Sequence, residues 1–259
     1  MPSAAGEQEW DSAAMGEYTI RSYEDGDYEA VRSIFSEGIT EHAPAGFWHV
    51  LRSPQTHALL LGLFLASYGI SSSFLFSFAI VSALLAVGWN RMKALWRDYV
   101  AEALESDMVD IRRNYLDTTD CHFWVLVHGS EVVGTVAVVQ PDERALRGQA
   151  LELKRMSVKK GHRGRGLSKT LTKAVLRFAQ ERGYKEVVLT TSMVQYAAQR
   201  LYESMGFQRV KEFSPFLSAK LLQFYVYTYR YEIPRTSLNG GHSDQKAGRG
   251  SREKEVVSL

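Results

Sequence analysis

The chain has 259 residues, 45% of them hydrophobic and 23% charged, and its formal net charge is +2. This length suits one ordinary domain with extensions, and the near-neutral charge excludes a general affinity for nucleic acid. A single cysteine, Cys121, excludes an intrachain disulfide, and its apolar surroundings predict a buried small residue rather than a nucleophile.

Both ends of the chain are predicted to be disordered tails. Residues 1–16 are polar and acidic, without the basic and apolar regions of a cleaved signal peptide. Residues 234–259 are rich in Gly, Ser and charged side chains, and such segments bury too little apolar surface to fold. The folded region is therefore expected between these tails.

Residues 17–52 are predicted to form the first strand and helix of a domain. The segment Tyr18–Arg21 suits a short strand, and apolar residues recur at helical spacing from Tyr28 to Phe35. The next segment, residues 53–90, contains no Asp, Glu, Lys or Arg. It exceeds the roughly 20 apolar residues that cross a bilayer, so it predicts a membrane insert rather than a buried helix pair.

The flanks of this insert favour a helical hairpin. The break at Tyr68–Ser73 predicts a turn between helices of about 17 and 19 residues. A single crossing would separate the first strand from its sheet by the bilayer, which would leave a costly unpaired edge. A single spanning helix stays open if Tyr18–Phe35 lies outside the fold. Basic residues on both flanks (Arg52, Arg91, Lys93 and Arg97) predict that both ends face the cytosol.

Residues 91–233 are predicted to complete the domain with alternating helices and strands. Helices are expected at Lys93–Glu105 and Asp107–Tyr115, with Ser106 as an N-cap between them, and at Leu167–Glu181. Strands are expected at Phe123–Val127, Val132–Gln140, Ala150–Val158, Val187–Thr191, Phe207–Phe213 and Phe224–Ile233. This order predicts an α/β fold in which helices flank a mixed central sheet and the membrane hairpin lies between the first helices.

A glycine-rich turn, Arg163-Gly164-Arg165-Gly166-Leu167-Ser168, connects the strand Ala150–Val158 to a helix. The free amides and positive dipole at a helix start attract phosphate oxygens, and glycines allow close approach of a ligand. Between positions 154 and 173 there are eight Lys or Arg and no acidic residue. The turn therefore predicts a polyanion site, although neither the Walker pattern nor the dinucleotide Gly-x-Gly-x-x-Gly pattern is present.

The turn resembles the acyl-CoA loop of the GNAT acetyltransferase superfamily, Arg/Gln-x-x-Gly-x-Gly/Ala, at Arg163, Gly166 and Ser168. Ser168 departs from the usual Gly or Ala. A second segment resembles another GNAT motif. It reads Gln195-x-x-Ala198-x-x-Leu201-Tyr202-x-x-x-Gly206-Phe207, with Gln195 in place of the usual Asn. The resemblance implies an acetyl-CoA site and no metal. Its implied cofactor-binding residues are Met156, Ser157, Val158, Arg163, Gly164, Arg165, Gly166, Leu167, Ser168 and Gln195.

Two catalytic residues follow from the same resemblance. Glu152, on the strand before the loop, corresponds to the base that deprotonates the acceptor ammonium. An ion pair with Lys154 or Arg155 is an alternative role for it. Tyr202 corresponds to the acid that protonates the CoA thiolate, and the alternative is a core tyrosine with a polar tip.

Further segments resemble the N-acetyltransferase 8 (camello-like) family over residues 18–232. They are Glu41–Phe47, Ser106–Ile111, Phe123–Val125 and His162–Gly166. The resemblance implies an endoplasmic-reticulum membrane enzyme that uses acetyl-CoA, with its catalytic domain towards the cytosol.

The acceptor expected from this family is the α-amine of a small amino acid, with cysteine S-conjugates first, acetylated directly in a ternary complex. The alternatives are an L-aspartate N-acetyltransferase, a protein lysine acetyltransferase of the secretory pathway and a non-enzymatic membrane interaction protein. The apolar loop Ser214–Leu222 is expected to cover the acceptor, with Lys220 available to its carboxylate. The lipid bilayer is an expected partner and nucleic acid is not.

Overall fold

The computed structural model describes residues 17–215 and 217–234. Apart from Pro234, both predicted tails lie outside the described residues. The strands are β1 Tyr18–Ser22, β2 His122–His128, β3 Glu131–Val139, β4 Ala150–Val158, β5 Glu186–Ser192, β6 Gln208–Phe213 and β7 Val226–Glu232. The helices are α1 Tyr28–Thr40, α2 Ala43–Leu51, α3 Pro54–Ser71, α4 Phe74–Glu105, α5 Leu167–Glu181, α6 Tyr196–Ser204 and α7 Leu217–Leu221.

The seven strands form one sheet in the order β1-β2-β3-β4-β5-β7-β6. The β4–β5 pair is parallel and every other neighbouring pair is antiparallel. This arrangement confirms the predicted α/β class with a mixed sheet. The parallel pair is joined through α5, as a parallel connection requires, since it must cross back over the sheet.

Both faces of the sheet are buried by helices. On one face Leu151, Leu171 and Leu189 are among the side chains of a core that includes α5 and α6, and on the other Phe35 and Met108 pack into a second core with α1 and the end of α4. Because both faces are covered, the central strands are almost continuously apolar, as in β3. Cys121 is buried, as predicted.

Helix α4 is longer than the sequence pattern indicates. It runs unbroken for 32 residues, so the helix predicted to start at Lys93 is its second half. Ser106 does not cap a following helix, because its N–H donates to the Glu102 carbonyl and closes α4. The prediction of a helix over Asp107–Tyr115 is largely wrong, since only Arg112–Leu116 forms a single π-helical turn. The Asp107 carboxylate instead binds Arg155, and this contact across the fold organises the segment.

Helices α3 and α4 form a hairpin whose turn is Ser72–Ser73, within the predicted Tyr68–Ser73 break. Ser72 has a left-handed φ of 52°, and ring contacts such as Phe64–Phe78, 5.0 Å between centroids, hold the helices together. Large apolar side chains point outwards, with Ile70 87% and Leu75 82% exposed. Among the described residues, α4 is the one helix long and apolar enough to cross a membrane, judged by length and composition.

Candidate active site

Strands β4 and β5 separate beyond their first four residue pairs. They pair from Ala150–Glu186 to Leu153–Leu189, and beyond these pairs β4 keeps only its pairing with β3, and β5 only its pairing with β7. The facing edges of residues 154–158 and 190–192 therefore have backbone groups without a partner strand. A cleft of this kind can bind an extended chain by strand-like hydrogen bonds.

A β-bulge lies in β4 at this point of separation. Arg155 has a left-handed φ of 55°, and the register with β3 shifts between Thr135 and Ala137. Before the bulge Leu151 and Leu153 face the core around α5, and after it Val158 does so. The extra residue places Arg155 beside Phe35 on the opposite face, which is also the face of Glu152.

A cavity of about 910 Å³ extends from this cleft. It lies between β4, the start of α5 and α6 on one side, and α1, α4 and the segment before β7 on the other. Helix α1 approaches β4 so closely that a Cβ at Gly38 would clash with the Ser157 Oγ. All the predicted catalytic and cofactor-binding residues line the cavity except Arg165.

The glycine turn has the conformation that an anion site needs. Gly164 and Gly166 have φ values of 79° and 78°, which L side chains rarely adopt, and Gly166 immediately precedes α5. The Lys169 and Thr170 amides donate to the Gly166 carbonyl. The earlier amides of Leu167 and Ser168 precede the first intrahelical bond, so they are available to a ligand.

The two arginines of the turn point to different places. The Arg163 Nε donates to the Val158 carbonyl at 2.6 Å, and its Nη1 donates to Glu41 at 2.7 Å. Arg165 instead donates to the Tyr18 hydroxyl on β1. Glu41 is a cavity residue that sequence reasoning did not single out as functional. It precedes Arg163 by 122 positions, so no local pattern connects them.

Glu152 lines the cavity with its side chain 17% exposed. Burial raises the pKa of its carboxyl, and Lys154, whose Nζ is 3.4 Å away, partly opposes this. The ion-pair alternative therefore holds for Lys154 but not for Arg155, whose partner is Asp107. A half-buried carboxyl with a raised pKa can accept a proton near neutral pH more readily than an exposed one.

Tyr202 is 5% exposed and lies on α6, against the ring of Phe207 at 5.5 Å and that of Tyr229 at 6.2 Å. Tyr202 lines the cavity, and no hydrogen bond joins its hydroxyl to another described residue. Burial raises the pKa of Tyr202, so the hydroxyl keeps its proton. It is thus a donor available to a ligand.

Gln195 closes the turn between β5 and α6. Its Oε1 accepts from the Thr191 Oγ1 and the Ser192 amide, both at 2.9 Å. These bonds give the side chain a local structural role, and a cofactor contact stays a prediction.

One part of the cavity wall is largely apolar. This part includes Met92, Leu95 and Trp96 from α4, and Leu222 and Phe224 before β7. Part of the predicted Ser214–Leu222 loop thus contributes, although Lys220 is not among the lining residues. Phe216 lies outside the described residues.

Comparison with known proteins identifies the fold and the reaction class. Residues 89–207 match the model of the Acetyltransferase (GNAT) family. N-acetyltransferase 8B of Homo sapiens is 39% identical over 220 residues, 85% of this chain and 97% of that protein. N-acetyltransferase 8 of Rattus norvegicus is 37% identical over 220 residues, 85% of this chain and 99% of that protein.

A crystal structure named for phosphinothricin N-acetyltransferase covers 84% of this chain and 99% of its own, with 13% identity and a TM-score of 0.51. That likeness shows the fold alone. Together these matches confirm the GNAT fold and the N-acetyltransferase class predicted from the two motifs. The chain belongs to the N-acetyltransferase 8 family of GNAT acetyltransferases.

Proposed function

We propose that this N-acetyltransferase is membrane-bound and transfers the acetyl group of acetyl-CoA directly to the α-amine of a small amino acid, above all a cysteine S-conjugate. One observation carries the proposal. A single cavity joins the phosphate-binding turn and the separated strands to an apolar wall that belongs to the long apolar helix α4.

The residues of the turn and of β4 fit acetyl-CoA. The Leu167 and Ser168 amides and Arg163 would hold the pyrophosphate, because they combine free donors with a fixed positive charge. The free edge of Met156–Val158 would bind the pantetheine arm as an added strand and offer an amide to the thioester oxygen. Acetyl-CoA supplies the activated acetyl thioester.

The proton transfers fall to Glu152 and Tyr202. Glu152 would take a proton from the acceptor ammonium, which makes the amine nucleophilic, and Tyr202 would give one to the departing thiolate. Both line the same cavity. Direct transfer is favoured because Cys121, the one cysteine of the chain, is not a lining residue.

The apolar wall favours an S-conjugate over aspartate. Met92, Leu95 and Trp96 would cover an apolar thioether substituent, whereas a second carboxylate against these side chains would lose hydration. Such acceptors partition towards membranes, and the same helix that forms the wall carries the apolar surface of the hairpin.

The proposed location is the endoplasmic reticulum membrane, with α3 and α4 inserted as a hairpin and the catalytic domain in the cytosol. The exposed apolar side chains of the hairpin and the basic residues that follow it support this arrangement. Protease treatment of intact microsomes should then release the catalytic domain. Protection of the domain would place it in the lumen.

Acceptor choice is tested with detergent-solubilised enzyme, acetyl-CoA and three acceptors: S-benzyl-cysteine, aspartate and a lysine peptide. We expect the highest kcat/KM with S-benzyl-cysteine. Turnover of the peptide alone would identify a protein lysine acetyltransferase, and turnover of aspartate alone an aspartate enzyme. A folded preparation without turnover of any acceptor would favour the non-enzymatic alternative.

The arginines of the turn provide a matched pair for testing the acetyl-CoA site. Arg163→Met is expected to raise the KM for acetyl-CoA about tenfold or more, since hydrogen bonds to charged groups contribute about 1.5–3 kcal/mol each. Arg165→Met removes the same charge, but Arg165 contacts Tyr18 and does not line the cavity. We therefore expect less than a threefold change in the KM for acetyl-CoA. Initial rates at varied acetyl-CoA measure both. Equal effects would mean that net charge, and not the position of Arg163, decides binding.

A further inference from the structure

We propose that Arg155 binds the α-carboxylate of the acceptor. This inference rests on the proposed function and deepens it, because it restricts the acceptors to free α-amino acids. Arg155 lines the cavity on the same face of β4 as Glu152, where the bulge places it. A cation and a carboxylate on one strand face match the two charges of a zwitterionic amino acid.

The Arg155 guanidinium is held in one orientation. Its Nε and Nη2 donate to the two oxygens of Asp107 at 2.9 and 2.5 Å, and its carbon lies 4.9 Å from the centre of the Phe35 ring. The side chain is only 10% exposed. A bidentate, stacked and buried arginine loses little conformational freedom when it binds a ligand.

Arg155 is a lining residue of the cavity, and one edge of its guanidinium is only weakly hydrogen-bonded. The Nη1 group donates to the Tyr99 hydroxyl at 3.5 Å, the outer limit of a hydrogen bond. The Tyr115 hydroxyl also lies beside this guanidinium, but it donates to Asp107. A buried N–H group without a good acceptor is costly, and a carboxylate would satisfy it. Asp107 thus fixes Arg155 and leaves Nη1 for the acceptor.

The charges around the site suit a zwitterion. Glu152 is paired with Lys154 and Arg155 with Asp107, so these four side chains are balanced without a ligand. The acceptor would add one charge of each sign, with the ammonium at Glu152 and the carboxylate at Arg155. A protein lysine side chain brings only the ammonium, which leaves the Nη1 group with only its long bond to the Tyr99 hydroxyl. Arg155 therefore selects α-amino acids against lysine residues of proteins.

The experiment compares S-benzyl-cysteine with its amide, S-benzyl-cysteinamide, as acceptors in the same preparation. For the wild type we expect kcat/KM to favour the acid by about a hundredfold, the scale on which enzymes that recognise a polar group reject analogues without it. Arg155→Gln should reduce this acid-to-amide ratio by about tenfold or more and leave the KM for acetyl-CoA unchanged. The ratio is independent of the fraction of folded enzyme, and the intrinsic reactivities of the two amines are the same for every variant.

Arg155→Gln leaves Asp107 buried without its partner, so the double variant Arg155→Gln/Asp107→Asn removes both charges and should show the same collapsed ratio. Lys154→Met is the matched control and should retain the wild-type ratio.

Three results would overturn the inference while the proposed function stands. They are a wild type that acetylates acid and amide equally well, an Arg155→Gln variant that loses both equally, and a collapse of the ratio in Lys154→Met. A wild type that acetylates the lysine peptide but neither cysteine derivative would instead refute the proposed function, and the role of Arg155 with it.

Discussion

The Glu152→Gln variant is expected to lose about a thousandfold in kcat/KM for the amine acceptor at neutral pH, within the range that general bases contribute. The acceptor is an ammonium ion at this pH, and it attacks the thioester only after losing a proton. Gln has the same shape but cannot accept that proton. The KM for acetyl-CoA should change little, because Glu152 lies on the part of β4 that still pairs with β5. A loss of less than threefold would mean that water deprotonates the acceptor.

The pH profile gives an independent measurement of the same role. The base must be ionised to act, so activity falls as the pH decreases through its pKa. Burial raises the pKa of Glu152 above the ordinary value of 4.5, and the acidic limb of the wild-type profile should lie correspondingly higher. The charge of Lys154 opposes this shift, so Lys154→Met should move the limb further towards neutral pH. Glu152→Gln should abolish that limb.

Local patterns in the sequence predict the elements that carry the donor site. The apolar strand before the loop, the glycines of the turn and the helix Leu167–Glu181 are each visible within a short window, and the structure has them at the expected positions. The hairpin turn at Ser72–Ser73 can also be predicted locally, because turn-forming residues interrupt an apolar run.

The contacts that shape the acceptor side depend on residues far apart in sequence. Arg155 and Asp107 are 48 positions apart, so no periodic pattern in the sequence predicts their pairing. The same pair explains the wrong helix prediction after Ser106, since a tertiary contact holds that segment against its local propensity. The contact of Arg165 with Tyr18, outside the cavity, could not be predicted either, because the sequence does not distinguish one basic residue of the loop from another.

Replacing Tyr202 by Phe is expected to lower kcat about a hundredfold and leave the KM for acetyl-CoA nearly unchanged. The hydroxyl has no hydrogen-bond partner among the described residues, so its removal should not reduce the melting temperature. A fall in kcat without a fall in stability separates the proposed proton donor from a core tyrosine.

The matched control for this variant is Tyr229→Phe. Tyr229 is a buried neighbour whose hydroxyl donates to Glu203 at 2.8 Å, and it does not line the cavity. We expect less than a threefold change in kcat and a small loss of stability, which is the reverse of the Tyr202 result. Because burial raises the pKa of Tyr202 above its ordinary value of 10, the wild type should keep a protonated donor throughout the neutral and mildly alkaline range. If the thiolate takes its proton from water instead, Tyr202→Phe will match the wild type in kcat at every pH.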